Sequence, residues 1–128
     1  MGRRHLTVNE IESTLRRGKS VEGFVGVCDR DGKAGFRHVS LSSSSDKIHV
    51  RIFETVDRDI DDSDVTEWGP LNASLTLGEA DREFLFPTLS ACFAYLESAW
   101  PGISCRLVND GVLQDEYLDF RKAKRGNV

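Results

Sequence analysis

The sequence predicts an α+β fold, a two-layer sandwich in which an antiparallel sheet of four to five strands carries three helices mainly on one face. Three observations predict it. Apolar residues recur at helical spacing near both ends of the chain, they alternate strictly in its middle, and short polar or glycine-containing turns join the alternating runs. With 128 residues, 39% hydrophobic and 30% charged, the chain is long enough to bury one core. It reads as a single domain over 1–128, with flexible ends at 1–5 and 122–128.

The first helix is predicted over 8–17. Thr7 and Glu10 have capping-box spacing, Leu6 and Ile11 suit a hydrophobic staple, and Val8, Ile11 and Leu15 form one apolar stripe. Arg16 and Arg17 suit the negative end of the helix dipole, and Gly18 suits a left-handed stop. Strands follow near 23–28, 35–41 and 47–56, the third with Ile48, Val50 and Ile52 inward and His49 and Arg51 outward. Residues 29–32, Asp-Arg-Asp-Gly, make the first turn, and the polar run 42–46 makes the second.

A fourth strand is expected at 65–68, ended by Gly69-Pro70. Over 72–81 a short edge strand and a loop are both open, and 83–86 reads as a buried strand feeding a second helix. That helix is predicted over 88–99, with Leu89, Cys92, Phe93, Leu96 and Trp100 at helical spacing and Pro101 as its stop. A short strand near 104–108 and a last helix over 112–123, with Leu113, Tyr117 and Phe120 on one face, complete the order.

Charge is unevenly placed. Residues 54–83 hold ten acidic side chains against Arg58 and Arg82, a net of −8, while the whole chain carries only −4. Asp57, Asp59 and Asp61 alternate as the first ligands of a calcium loop do. Counted from Asp57, however, the sixth position is Asp62 where a glycine is needed, and the twelfth is Trp68 where a bidentate glutamate is needed, with Glu67 one residue off. No metal and no other cofactor is expected. A field of this sign repels phosphate backbones and steers a basic protein. The function expected is therefore a non-catalytic binding domain of the immunity or inhibitor type. Asp57, Asp59, Asp61, Asp62, Asp64 and Glu67 are expected to engage a basic toxin or enzyme.

The alternative is a small-ligand-binding domain or enzyme with a pocket between sheet and helices, lined by Trp68, Tyr95, Trp100 and Tyr117. A catalytic set is not evident. There is no P-loop, dinucleotide fingerprint or nucleophile elbow, and His5, His38 and His49 do not pair at ligand spacing, although His38 and His49 could meet across the second hairpin. Cys28, Cys92 and Cys105 form no C-x-x-C pair; Cys92 and Cys105 are expected in the core.

The basic clusters, Arg3, Arg4, Arg16 and Arg17 at one end and Arg121, Lys122, Lys124 and Arg125 at the other, accompany no nucleic-acid motif, so no nucleic-acid partner is expected. No apolar run approaches bilayer length and no signal core follows the start, which points to a cytoplasmic protein with no membrane partner. The tail VNDGVLQDEYLDF (108–120) and the start LTVNEIESTLRRGKSVEGFVG (6–26) resemble small uncharacterised bacterial proteins with a similar beginning and an N-x-G-V-x-Q-D-E-Y ending. The resemblance implies a bacterial origin and a stand-alone domain; it carries no activity and no site residue.

Overall fold

The computed structural model describes residues 5–30, 32–56, 69–72, 74–76, 79–109, 112–113, 116–117 and 119–120. Helix α1 (Val8–Arg16) starts as its cap residues dictate. Thr7 Oγ1 accepts the Glu10 amide at 3.2 Å, and Glu10 Oε1 accepts the Thr7 amide at 2.8 Å. Gly18, at φ 82°, supplies the left-handed residue that ends it. Its buried arc runs through Ile11, Thr14 and Leu15. Val8, expected on that stripe, lies at the open first turn and is 51% exposed.

Strands β1 (Val21–Arg30), β2 (Lys33–Ser44) and β3 (Lys47–Val56) form a meander longer than the alternation alone implies. Tight turns explain the extra length. Ser45 and Asp46 sit at φ 50° and 66°, the paired positive values that a two-residue hairpin requires, so residues 42–44 remain free to pair with 47–49. Strand β4 (Arg82–Phe86) adds to β3, and the expected 83–86 strand is an edge strand rather than a buried one. Helix α2 (Leu89–Ala99) follows, capped by Thr88, whose hydroxyl accepts the Ala91 amide at 3.1 Å.

After α2 the chain makes a 3-10 turn (Ile103–Cys105) and only a two-residue strand, β5 (Val108–Asn109), so the strand expected over 104–108 is mostly turn. The Glu97 carboxylate sets this geometry by accepting the Gly102 amide at 2.9 Å and the Ser104 amide at 2.8 Å. The same hydrogen bonds hold its pKa below the ordinary carboxylate range. The five-stranded antiparallel sheet has the order β4-β3-β2-β1-β5, and α2 carries the chain from one edge to the other. The expected strand at 65–68 lies outside the described residues.

One face of the sheet presents Val21, Val39, Leu41, Val50 and Ile52, on which Ile11 and Leu15 of α1, Cys92 and Leu96 of α2, and Ile103 and Leu107 pack. Ser43 Oγ ties α1 to β2 by donating to the Leu15 carbonyl at 3.0 Å. The opposite face carries a second core: Phe24 and Phe36 against Leu113, Tyr117 and Phe120. The C-terminal segment thus covers the face that α1 and α2 leave, which corrects the expectation of three helices mainly on one face. Among the described residues, 113, 116–117 and 119–120 are helical and the Glu116 amide donates to the Val112 carbonyl at 3.2 Å, the helical spacing expected there. His5 joins the two chain ends, its Nε2 lying 2.7 Å from Glu116 Oε1.

A bulge in β1 decides which charges meet. Phe24 faces His38 in the register and Gly26 faces Arg37, so Val25 is an extra residue. Past it the alternation reverses: Val27 joins Phe36 on the second face, and Cys28 and Arg30 move to the face that carries the helices.

Candidate binding site

The site grows from two charged residues at inward strand positions. Arg37 follows Gly35 and precedes Val39 on β2, Glu54 follows Val50 and Ile52 on β3, and the register sets Arg37 directly opposite Glu54. Arg37 Nε reaches Glu54 Oε2 at 3.1 Å, with a second, shorter contact from Nη2 to the same oxygen. Arg30, turned to this face by the bulge, places Nη2 3.1 Å from Glu54 Oε1 and 3.7 Å from Asp81 Oδ1. Asp81 Oδ2 accepts the Glu54 amide at 2.8 Å, and the Asp81 amide donates to the Ile52 carbonyl at 2.8 Å, extending the β3–β4 ladder.

Burial alone would raise the Glu54 carboxyl, but hydrogen bonds and charge from Arg37 and Arg30 outweigh it and hold the pKa below the ordinary carboxylate range. Cys28 lies on the same face. Burial, reinforced by the charges of Glu54, Asp81 and Asp29 against that of Arg37, raises its thiol pKa, which keeps it protonated and a poor nucleophile. Cys92 is buried and its thiol is pushed up to about 12 by burial. Cys105, expected in the core, is exposed because the turn after α2 directs it outward.

These charges form the wall of a cleft of about 360 Å³ at the C-terminal end of α2. Arg30, Arg37, Glu54 and Asp81 line it with Asn72 and Arg82, and Tyr95, Ala99 and Trp100 supply the helix side. Of the aromatics expected in a pocket, the structure brings together Tyr95 and Trp100. Tyr117 is on the opposite face, 1% exposed and stacked on Phe36 at 4.2 Å, and Trp68 lies outside the described residues. The sequence reading singled out none of the cleft's strand charges; the signal that finds Arg37 and Glu54 is a charge at an inward strand position, and Arg30 is hidden by the bulge.

Asp57, Asp59, Asp61, Asp62, Asp64 and Glu67 also lie outside the described residues, but both attachments of their stretch are defined. The Val56 amide donates to the Gly69 carbonyl at 3.1 Å, Leu71 donates to Glu54 at 2.9 Å, and Thr55 pairs with Pro70. Leu71 is buried against Gly35, where an added Cβ would come within 3.0 Å of Leu71 Cδ2 and 2.5 Å of the Thr55 carbonyl. The chain therefore leaves and re-enters at one fixed point of the sheet.

His38 and His49 do not meet: His38 pairs with Phe53 and His49 with Ser42, four positions apart on the ladder. His49 instead lies 3.1 Å from Glu83. His38 stacks on Phe53 at 4.9 Å and 11°, its Nε2 is 3.2 Å from Thr55 Oγ1, and its buried Nδ1 has no hydrogen-bond partner. Burial lowers its pKa to about 4, so the ring is neutral at physiological pH. As pH falls from the ordinary value of 6.5 toward 4, the unfolded chain takes up a proton that the folded one refuses, and stability falls by about 3 kcal/mol. Urea titrations at pH 7, 6 and 5 should show this loss, and His38→Phe should flatten it.

Among the described residues no group of three or more His, Cys, Asp or Glu side chains converges as metal ligands do, and no helix is long and apolar enough to cross a membrane. Comparison of the chain with protein-family models, with curated proteins and with solved structures finds no match.

Proposed function

We propose that the domain is a non-catalytic binding module of the immunity or inhibitor type, engaging a basic protein through the acidic stretch. The observation that carries this reading is the anchoring just described. Residues 57–68 bring six acidic side chains against one arginine, and the hydrogen bonds Val56 to Gly69 and Leu71 to Glu54 fix both attachments at the same end of the sheet. A concentrated field held at a fixed point raises the encounter rate with a complementary surface and sets its orientation.

The test is to capture partners on the immobilised domain, purify the captured protein, and titrate it at low and high salt. A variant with Asp57, Asp59, Asp61, Asp62, Asp64 and Glu67 changed to Asn or Gln is titrated in parallel. The expected partner is basic, and its affinity falls at least tenfold with either change while the melting temperature of the variant stays near that of the parent. Affinity unmoved by salt and by neutralisation defeats the proposal.

A second reading is favoured by a different observation. The cleft beside Trp100 has the size of a small-molecule site and a mainly polar lining of convergent charged groups, with Tyr95 and Trp100 on its helix side, and so supports a small-ligand-binding role.

A further inference from the structure

We infer that this cleft receives a small organic anion, a polar monocarboxylate of the hydroxy- or oxo-acid class, with its carboxylate bound by Arg82 and supported by Arg30 and Arg37. The inference rests on the small-ligand reading and goes beyond it by naming the ligand's charge and chemistry.

The lining is layered by charge. Its two carboxylates, Glu54 and Asp81, lie deepest, with side-chain exposures of 13% and 10%, and both are spent inside the wall. Glu54 takes Arg30 and Arg37, each at 3.1 Å. Asp81 Oδ2 takes the Glu54 amide, and Oδ1, which has no accessible surface, is paired with Arg30 at 3.7 Å. What reaches solvent is the cationic layer: Arg37 and Arg30, at 33% and 41% exposure, and the exposed Arg82. A carboxylate beneath a guanidinium fixes its plane and leaves its outer N–H groups as donors. Arg82 has the most capacity left. The register sets it opposite Ile52, on the face that carries the helices, and it makes no ion pair among the described residues. Asn72, in the same lining, spends its carbonyl on the Ser74 amide at 3.0 Å, which leaves its NH2 group as a further donor.

Charge, fork geometry and surface character narrow the ligand. Among the described residues, three guanidinium groups against two carboxylates leave one positive charge in excess. A cation is repelled by the exposed layer, a monoanion brings the cleft to neutrality, and a phosphate dianion reverses its sign. The guanidinium fork matches the two oxygens of a carboxylate. The volume, about 360 Å³, leaves room for a body beyond the carboxylate, and a lining dominated by N–H donors calls for acceptor oxygens on that body rather than apolar surface.

The experiment uses thermal shift and calorimetry on the intact chain at fixed ionic strength. The probes are a panel of hydroxy- and oxo-monocarboxylates, with glycolate, lactate, pyruvate and gluconate among them, beside their neutral amides; inorganic phosphate and sulfate serve as anion controls. At least one carboxylate should raise the melting temperature saturably, and its amide should bind at least tenfold more weakly. Arg82→Gln, at an exposed position, should weaken the carboxylate at least tenfold without lowering the ligand-free melting temperature. Arg82→Lys, which keeps the charge and loses the fork, should recover only part of that affinity. Equal or larger shifts by phosphate and sulfate reduce the cleft to a general anion patch and overturn the assignment. Carboxylate binding that survives Arg82→Gln, or saturable binding of neutral or cationic compounds alone, overturns the inference and leaves the small-ligand reading standing. No saturable shift from the panel or from a broad metabolite library overturns both.

Discussion

Tyr117→Ala is expected to lower stability by about 3–5 kcal/mol, enough to reduce the melting temperature of a domain this size by roughly 10 °C or more. Tyr117 is the largest fully buried side chain among the described residues, 1% exposed, and it holds the second core together. Its ring stacks on Phe36 at 4.2 Å and 22°, and meets Phe24 at 5.7 Å and Phe120 at 6.5 Å. Truncation removes the transfer free energy of the ring and opens a cavity between sheet and C-terminal segment. Because Phe24 and Phe36 belong to strands β1 and β2, the second face of the sheet would then be exposed to water over its most aromatic part. Tyr117→Phe keeps the ring and should cost about 1 kcal/mol or less. Equilibrium urea unfolding separates the two variants; a loss below about 1 kcal/mol for Tyr117→Ala would show that the C-terminal segment contributes little to the fold.

The parts of this architecture that local chemistry specifies could be read directly. Thr7 and Glu10 make their capping box, and the alternation of Ile48, Val50 and Ile52 gives the buried face of β3 because one-sided burial enforces period two. The face on which the C-terminal segment docks could not be read, since Leu113, Tyr117 and Phe120 show an apolar stripe without saying which side of the sheet receives it. The bulge at Val25 was equally silent, because one inserted residue leaves composition and propensity unchanged while turning Arg30 to the other face. The candidate cleft depends on that turn. Its aromatic half, Tyr95 and Trp100, was named among the aromatics of the alternative pocket, whereas Asp81 and Arg82 gained their positions from the β3–β4 pairing.

Glu54→Ala should cost about 2–3 kcal/mol, the largest effect expected of any charge substitution among the described residues. Removing one partner of a largely buried ion pair leaves the other uncompensated, which typically costs about 3–5 kcal/mol; here Arg30 and Arg37 are 41% and 33% exposed, and water compensates part of the loss. What makes Glu54 unusual is the number of elements that meet on it. Its carboxylate binds Arg30 of β1 and Arg37 of β2, its amide binds Asp81 ahead of β4, and its carbonyl receives Leu71 where the chain returns after the acidic stretch. The acid dependence has a definite sign. The folded-state pKa lies below the ordinary value of 4.5, so the contribution is complete above that value and is lost as pH falls through the lower folded-state value. Glu54→Gln should therefore remove the Glu54 part of the acid sensitivity below pH 4.5 while leaving the His38 decline between 6.5 and 4.5 in place. Under the binding role proposed above, the same substitution should also weaken a basic partner although residues 57–68 are untouched, because it loosens the point at which they are held. A double-mutant cycle with Arg37→Met isolates the pair: a coupling energy near zero would mean that the anchor owes its rigidity to Leu71 and the backbone bonds alone.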